Sequence, residues 1–447
     1  MKIEKKAKII FLVSCFLIGA VFGDVKAQSQ QPEKKLSPDE TRINAMINNT
    51  HFIKVGNQGI NNDSVEKIMN RFYLDQFRHS QDPRAPYFMF LSKEGNLAMG
   101  IGGQVKVRGY YDWNGSIPSA GFSPYLIPIP KNPESIRNLA ASASGTGLFF
   151  TVLGTNSFLG DYMAYFQADF SGYNNRGFRV KKAYITIRDW TAGYAVSTFE
   201  DTKAEPETVD GSGPNGINSR KNVLIRYMHT FKKRWSVAGS VEFPNQSISA
   251  DGVKTKAATP YIPDIAGFGQ YQWNDGLSHL RFSVLLRTLT YRDLIKQKNY
   301  NVTGWGLQLS TVIKALPQLN LFGIISTGAG HASYTTDLGN GDFDLIEDLD
   351  HPGKLYAPMA AGLVLGAQYF FTPKLYSNIA FSEQTYYPKH NPQNDQYKYG
   401  IYGVANLFWD VTPRFQVGIE YLYGKRKDFN SKHDSADRIM ALLMLSF

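Results

Sequence analysis

From Asn96 onward the chain alternates apolar and polar residues with a period of two. Met99, Ile101, Val105, Val107, Tyr111 and Trp113 share one phase, and Gly100, Gly102, Gln104, Lys106, Arg108 and Asp112 the other. Such alternation predicts a β-strand whose two faces meet different surroundings. Comparable segments recur near residues 146–155, 160–170, 178–188, 190–199, 220–231, 234–244, 265–273 and 279–290. They continue near 302–313, 318–327, 359–370, 374–384, 397–409, 414–424 and 437–447. The count is about sixteen, an even number as a closed antiparallel barrel with both ends on one side requires. The last segment reads Ile439, Ala441, Leu443, Leu445, Phe447 in steps of two. A wholly apolar stripe there suits lipid, because in water it would be an aggregation-prone edge.

The connections alternate in length. Short ones, such as Thr155-Asn156-Ser157, Arg188-Asp189-Trp190, Lys232-Lys233, Leu316-Pro317, Phe371-Thr372-Pro373 and Val411-Thr412-Pro413, interleave with long ones at 114–145, 200–219, 245–264, 328–358 and 425–436. A membrane barrel keeps short turns on its periplasmic side and long loops outside. About sixteen strands enclose an aqueous channel rather than a packed core. The expected fold is therefore all-β: a transmembrane antiparallel β-barrel of the porin kind, over residues 96–447.

Residues 1–95 follow other patterns. Lys2, Lys5, Lys6 and Lys8 precede an apolar run from Ile9 to Gly23, and Val25-Lys26-Ala27 offers a small-residue cleavage site, so residues 1–27 read as a signal peptide. Leu12-Val13-Ser14-Cys15 imitates a lipoprotein box, but the apolar run continues past Cys15, against lipidation. Residues 28–95 read as an amino-terminal extension with two short helices. Ser37-Pro38-Asp39-Glu40 is a capping box that opens a helix to about Asn48, and Asp63-Ser64-Val65-Glu66 opens another to about Arg78. Helices this short must dock on something: each other, the periplasmic rim or a neighbouring subunit.

Composition narrows the class. Aromatic residues make up 14% and glycines number 40, as expected for interfacial girdles and turns, while mean hydropathy stays below zero. The only cysteine is Cys15, so disulfides, thiol catalysis and cysteine metal sites are not expected of the exported part. The formal charge is +10, which falls to +7 without the five lysines and two carboxylates of residues 1–27. An exported protein does not routinely meet nucleic acid, so the basic balance points to anionic solutes or lipopolysaccharide.

Selectivity in such a channel must come from inward side chains. Leu280, Phe282, Val284 and Leu286 turn Arg281, Ser283 and Arg287 inward, and Val223, Ile225 and Tyr227 turn Asn222 and Arg226 inward. The segment at 178–188 changes phase, which a β-bulge at Lys181-Lys182 reconciles. That bulge puts Arg179, Lys181, Lys182, Tyr184, Thr186 and Arg188 inside, and with Lys106 and Arg108 they make a basic stripe. A hydrated wall, or pairing with loop carboxylates, is the alternative use of these cations. The third long-side connection carries Glu200, Asp201, Glu205, Glu207 and Asp210. In general porins this loop folds inward and narrows the channel, where its carboxylates would face the basic wall.

The run FRVKKAYITIRDWTAGYAVSTF, then PETVDGSGPNG, then Ile225-Arg226-Tyr227, with Gln167-Ala168-Asp169-Phe170 upstream, resembles the DcaP-like outer-membrane porins. The matching motifs cover roughly residues 160–230. The resemblance implies a trimeric, sixteen-stranded channel for small anionic solutes such as dicarboxylates, with Arg179, Lys181 and Arg226 lining the pore. Tyr194-Ala195-Val196 stands where the family has Gln-Thr-Trp, and the extension lacks a long heptad coiled coil.

The remaining signals are weaker. Asp342, Asp344, Glu347, Asp348 and Asp350 crowd one outer loop, but their spacing is not that of an EF-hand; a solvated loop or a lipopolysaccharide-bridging cation site is the plainer reading. No metal and no cofactor are expected. The histidines form neither HExxH nor a nucleophile–base pair, so an outer-membrane hydrolase is disfavoured. The expected function is a passive diffusion channel for small, preferentially anionic solutes. The alternative is an anchoring or adhesion barrel that acts through its long loops. Phe447 is read as the signal by which the barrel assembly machinery recognises the chain.

Overall fold

The computed structural model describes residues 36–38, 40–42, 51–54, 86, 88–92, 96–173, 177–389 and 395–447. The proposed signal peptide and the capping box at Asp63 lie outside the described residues. At Ser37 the first box is present: Glu40 accepts from the Ser37 N–H at 2.9 Å and from its hydroxyl at 2.6 Å, and Thr41 N–H donates to Ser37 O at 2.9 Å.

Sixteen strands form the wall. They are β1 (Leu97–Asp112), β2 (Gly147–Asn156), β3 (Gly160–Asp169), β4 (Arg179–Ile187), β5 (Trp190–Val196), β6 (Lys221–Phe231), β7 (Trp235–Glu242) and β8 (Asp264–Trp273). Then follow β9 (Ser278–Asp293), β10 (Lys298–Leu316), β11 (Leu319–Ala329), β12 (Met359–Thr372), β13 (Leu375–Tyr387), β14 (Tyr397–Thr412), β15 (Phe415–Asp428) and β16 (His433–Ser446). Each pairs antiparallel with the next, and β16 returns to β1 with Arg438 opposite Asp112 and Ser446 opposite Gln104. Phe447 completes the seam by exchanging two backbone hydrogen bonds with Gly103, at 2.8 and 2.9 Å. Past that point the free length of β1 pairs with Phe88–Leu91, so the ladder reaches back before Asn96. His51–Lys54 adds to Phe88–Leu91 in parallel. Closure leaves the long barrel strands no open edge.

The alternation has a direct physical reading: β7 runs exposed–buried along its whole length. Val105, Val107, Val223, Ile225, Phe282, Leu286, Ile439 and Leu443 are exposed on the outer face, where hydrocarbon rather than water is the favourable neighbour. Trp190, Phe231, Trp235, Tyr369, Phe371, Trp409 and Phe447 are exposed beside the short turns and form an aromatic girdle there. Among the described residues no helix is long and apolar enough to cross a membrane; the crossing is made by strands. The bulge in β4 is present. Lys182 opposes Gln167 and Val180 opposes Ala168, leaving Lys181 as the extra residue.

The inner face departs from simple polarity. Toward the short-turn end, Met89, Leu91, Ala98, Phe149, Leu153, Met163, Tyr165, Tyr184 and Leu224 form a buried apolar patch on the inside. Strand phase fixes which way a side chain points, not what it meets. On the other side of the lumen, long connections fold inward. Phe122 and Ile127 from the first pack with Val209 from the third and with Tyr402, Phe408 and Leu422 of the wall. Asp337, from the connection between β11 and β12, gathers them. It accepts from Ser123 Oγ at 2.6 Å, Tyr125 N–H at 2.9 Å, Asn215 Nδ2 at 3.2 Å and Tyr397 OH at 2.5 Å.

Candidate functional site: the inward loop and the two chambers it divides

Residues 197–220, between β5 and β6, cross the lumen and are fastened to the opposite wall. At the loop's start, Glu242 of β7 accepts from Ser197 Oγ at 3.1 Å and from Thr198 N–H at 2.9 Å. Asp201 accepts from Ser310 Oγ at 2.6 Å, lies 2.8 Å from His279 Nε2 and 3.6 Å from Arg281 Nη1. Further along, Glu420 of β15 takes the N–H groups of Val209 (2.6 Å) and Asp210 (2.7 Å), and Asn406 Nδ2 donates to Glu207 O at 2.9 Å. Gly216 N–H then donates to Ser382 Oγ at 2.8 Å. A Cβ at Gly216 would stand 2.8 Å from the Leu363 carbonyl oxygen, so only glycine lets the backbone lie this close to the wall.

The loop separates two spaces. The first, a cavity of about 530 Å³, lies between β1–β4, Gly211-Ser212 of the loop and Ser119–Gly121 of the first connection. Four of the predicted cations line it: Lys106, Arg108, Arg179 and Lys181. Among the described residues its lining holds one carboxylate, Asp169, 3.3 Å from Lys181 Nζ. Arg108 is buried, donating to Ser144 O at 3.0 Å, and its guanidinium passes so close to Gly211 that a Cβ there would meet Nη1 at 2.5 Å. Arg179 is exposed to the space.

The second space, about 580 Å³, lies on the other side of the loop against β8–β12, with Glu205, Glu207, His279, Arg281 and Gln368 in its lining. Here the predicted cations have other employment. Besides Asp201, Arg281 donates to Gln270 Oε1 at 2.8 Å and to Glu200 O at 3.1 Å, and stacks on Phe268 at 4.1 Å. Arg287 stands 3.0 Å from both Asp264 and Asp344, with none of its side chain exposed. Arg226 is buried in the wall and donates to Val196 O at 3.4 Å. Lys182 is half-buried on β4, and Arg188 sits in a short turn, donating to Leu159 O at 3.0 Å.

The loop carboxylates correct one expectation. They do not confront the basic wall as a set, because most are used to fasten the loop. Asp201 faces β9 and β10, and Asp210 accepts from Phe122 N–H at 2.9 Å and Ser212 N–H at 3.2 Å. Glu200 accepts from Arg220 N–H at 2.8 Å, and Glu207 points to β13 and β14. Burial acts on four of the five, with different results. Burial would raise the Asp201 carboxyl, yet Arg281 and His279 hold it well below the usual range. Burial pushes Glu200 up to about 7 against the pull of Lys221, and raises Glu205 with help from Glu200 and Asp201. Asp210 is also raised by burial.

Sequence reading missed the acids of the wall. Asp112 takes Arg438 in a fork at 2.6 and 3.0 Å, Asp264 takes Arg287, and Glu242, Asp410 and Glu420 hold loops or Arg42. The signal was present in part: β8 and β9 share a short turn, and counting back from it sets Asp264 level with Arg287. Asp344, in the acidic outer run, is a fully buried partner of Arg287 that also accepts from Ser247 and Ser333 N–H groups. Asp348 instead lies 3.0 Å from His351.

The DcaP outer membrane protein family model matches residues 93–251, a span that contains the basic cavity wall and the inward loop. The structure is similar to the crystal structure of the outer membrane channel DcaP of Acinetobacter baumannii. The two share 20% identity over 80% of this chain and 99% of that one, with a TM-score of 0.68. An anion-selective porin from Comamonas acidovorans matches at 9% identity over 78% and 100% of the chains, TM-score 0.52. A loop-deletion mutant of OmpT, an outer membrane protein of Vibrio cholerae, matches at 8% identity over 79% and 100%, TM-score 0.51. A search of curated protein sequences gives no match. The fold is that of the outer-membrane porins.

Proposed function

We propose, from the premise that this chain is a DcaP-like outer-membrane porin over residues 93–251, that it is a passive channel preferring small anionic, dicarboxylate-like solutes. The observation that carries this reading is the first cavity: Lys106, Arg108, Arg179 and Lys181 share it with Asp169 as the one lining carboxylate among the described residues. Fixed cations in a narrow water-filled passage raise the local concentration of anions and lower that of cations. Two cations at different depths also suit a solute with two carboxylates, each end finding a partner in turn. Arg226, Arg281 and Arg287 point inward but are buried away from this cavity.

The wider reading keeps the earlier expectations: a leader at residues 1–27, assembly as a homotrimer, contact with lipopolysaccharide outside, and delivery by the barrel assembly machinery through Phe447. The test is a reversal potential in a potassium chloride gradient across a planar bilayer. Chloride preference is expected, shrinking in Lys106→Gln with Arg179→Gln and with rising ionic strength. Potassium preference in the wild-type channel at low salt overturns the reading.

A further inference from the structure

The periplasmic half of the lumen contains a piece of the chain that precedes the barrel. The first and last barrel strands both end beside the short turns, which marks that side as periplasmic. The turn of helix begun at Ser37 enters here, and its Arg42 lines the second space beneath the inward loop. Arg42 Nε donates to Asp410 Oδ2 at 2.6 Å, and Nη1 reaches Glu207 Oε2 at 3.4 Å. The guanidinium carbon lies over the Tyr376 ring, 4.5 Å from its centre.

The receiving groups are organised among themselves. Tyr376 OH donates to the same Glu207 oxygen at 3.0 Å, and Gln416 Nε2 donates to Tyr376 OH at 3.0 Å and to Asp410 Oδ1 at 2.9 Å. Two carboxylates at the edge of a planar cation and an aromatic ring on its face are a guanidinium receptor rather than a general cation site. One carboxylate belongs to the wall, on β14, and the other to the inward loop. The contact therefore ties three things together: the amino-terminal segment, the barrel and the loop that narrows it.

We propose that Asp410, Glu207 and Tyr376 form a guanidinium-binding site on the lumen wall, and that Arg42 is its resident ligand. Held there, the turn that carries Arg42 is an internal plug that lowers conductance from the periplasmic side. This goes beyond the anion reading, since the site is acidic and lies across the loop from the basic cavity. An ammonium group cannot replace the fork and the stacking together, so Arg42→Lys should hold the segment less well than arginine does.

The test uses the full chain, with two readouts that fail independently. In detergent, trypsin can cut after Arg42 only when that residue leaves its receptor. Asp410→Asn with Glu207→Gln keeps the cleavable arginine but removes both charges, and cleavage at Arg42, followed by mass spectrometry, should accelerate roughly tenfold. In planar bilayers the same double variant, and Arg42→Ala, should each raise single-channel conductance about twofold. Unchanged cleavage overturns the site, and faster cleavage with unchanged conductance overturns the plug. Should wild type and variants alike carry no current, the channel reading fails, while cleavage still decides whether Arg42 is held. Circular dichroism of each variant confirms that the barrel has folded, and Arg42→Ala, which leaves every wall and loop residue unchanged, guards against a misfolded double variant.

Discussion

The two sides of this lumen use the same residue type for opposite purposes. Along β1–β4, Lys106, Arg179 and Lys181 face open space with Asp169 as the carboxylate among them. Along β8–β16, Arg281, Arg287 and Arg438 also point inward, yet each is buried against a carboxylate and loop carbonyls. Alternation places all six on the inner face. What separates them is acceptor supply: a guanidinium with five donors becomes a structural rivet wherever an inward loop brings a carboxylate and carbonyl oxygens. A basic residue in lumen phase is thus a candidate for selectivity only where no loop descends upon it.

The sharpest way to break this contrast is at Arg438. Its side chain is 0% exposed, forked onto Asp112, and it also donates to the carbonyls of Ile117, Ser119 and Ala120. Arg438→Ala strands a buried carboxylate and undoes the first connection, at a cost of about 3–5 kcal/mol. The denaturant midpoint of the folded barrel should fall accordingly, with Arg438→Lys recovering only part. Arg179→Ala, on the open side, should stay within about 0.5 kcal/mol of wild type. Equal effects at the two sites would erase the distinction.

A smaller effect is expected on selectivity, with the sites ranked the other way. Arg179→Gln with Lys181→Gln should lower the chloride-to-potassium permeability ratio roughly two- to fivefold, as removal of partly screened charges predicts. Arg281→Gln should leave the ratio nearly unchanged. It should instead add current noise, because Asp201 would lose its guanidinium partner and the loop would be less firmly held. A large selectivity change at Arg281 would mean that its field reaches the open cavity despite its partners.

The barrel was legible because its rule is local. Each strand segment recurs as alternating positions within a dozen residues, and even the bulge at Lys181 shows as a change of phase between Val180 and Ile185. The loop's descent was suggested by its place in the series, but its anchors were not legible. Val209 and Glu420 are 211 positions apart and Arg438 and Asp112 are 326 apart, so nothing in either neighbourhood announces the other. The carboxylates of the loop looked like a field opposed to the basic wall because sequence shows charge but not which N–H groups will reach it. Arg42 illustrates the same limit: the capping box at Ser37 foretold a helix, and nothing nearby foretold its receptor on β13 and β14.

The smallest effect should come from acidity, and it probes the loop between the two sides. Glu200 and Glu205 are buried near Lys182 and Lys221, with Asp201 and Glu242 as the other carboxylates around them. Glu200 takes up its proton near pH 7 when folded, against 4.5 for an ordinary glutamate, and Glu205 is raised as well. Between those values the folded loop binds more protons than the unfolded chain, so its stability falls as pH rises through the window from 4.5 to 7. Asp201, held low by Arg281 and His279, keeps its charge throughout and continues to fasten the loop. Acidifying from pH 8 to 5.5 thus removes negative charge from the loop while the Asp201 hold persists, and the lumen becomes more positive. Anion preference should rise, by less than about twofold since these groups lie behind the loop rather than in the open cavity. In Glu200→Gln with Glu205→Gln the shift of the reversal potential between those pH values should shrink. A wild-type channel whose anion preference falls on acidification would place the titrating groups elsewhere, among carboxylates that support the cationic wall rather than oppose it.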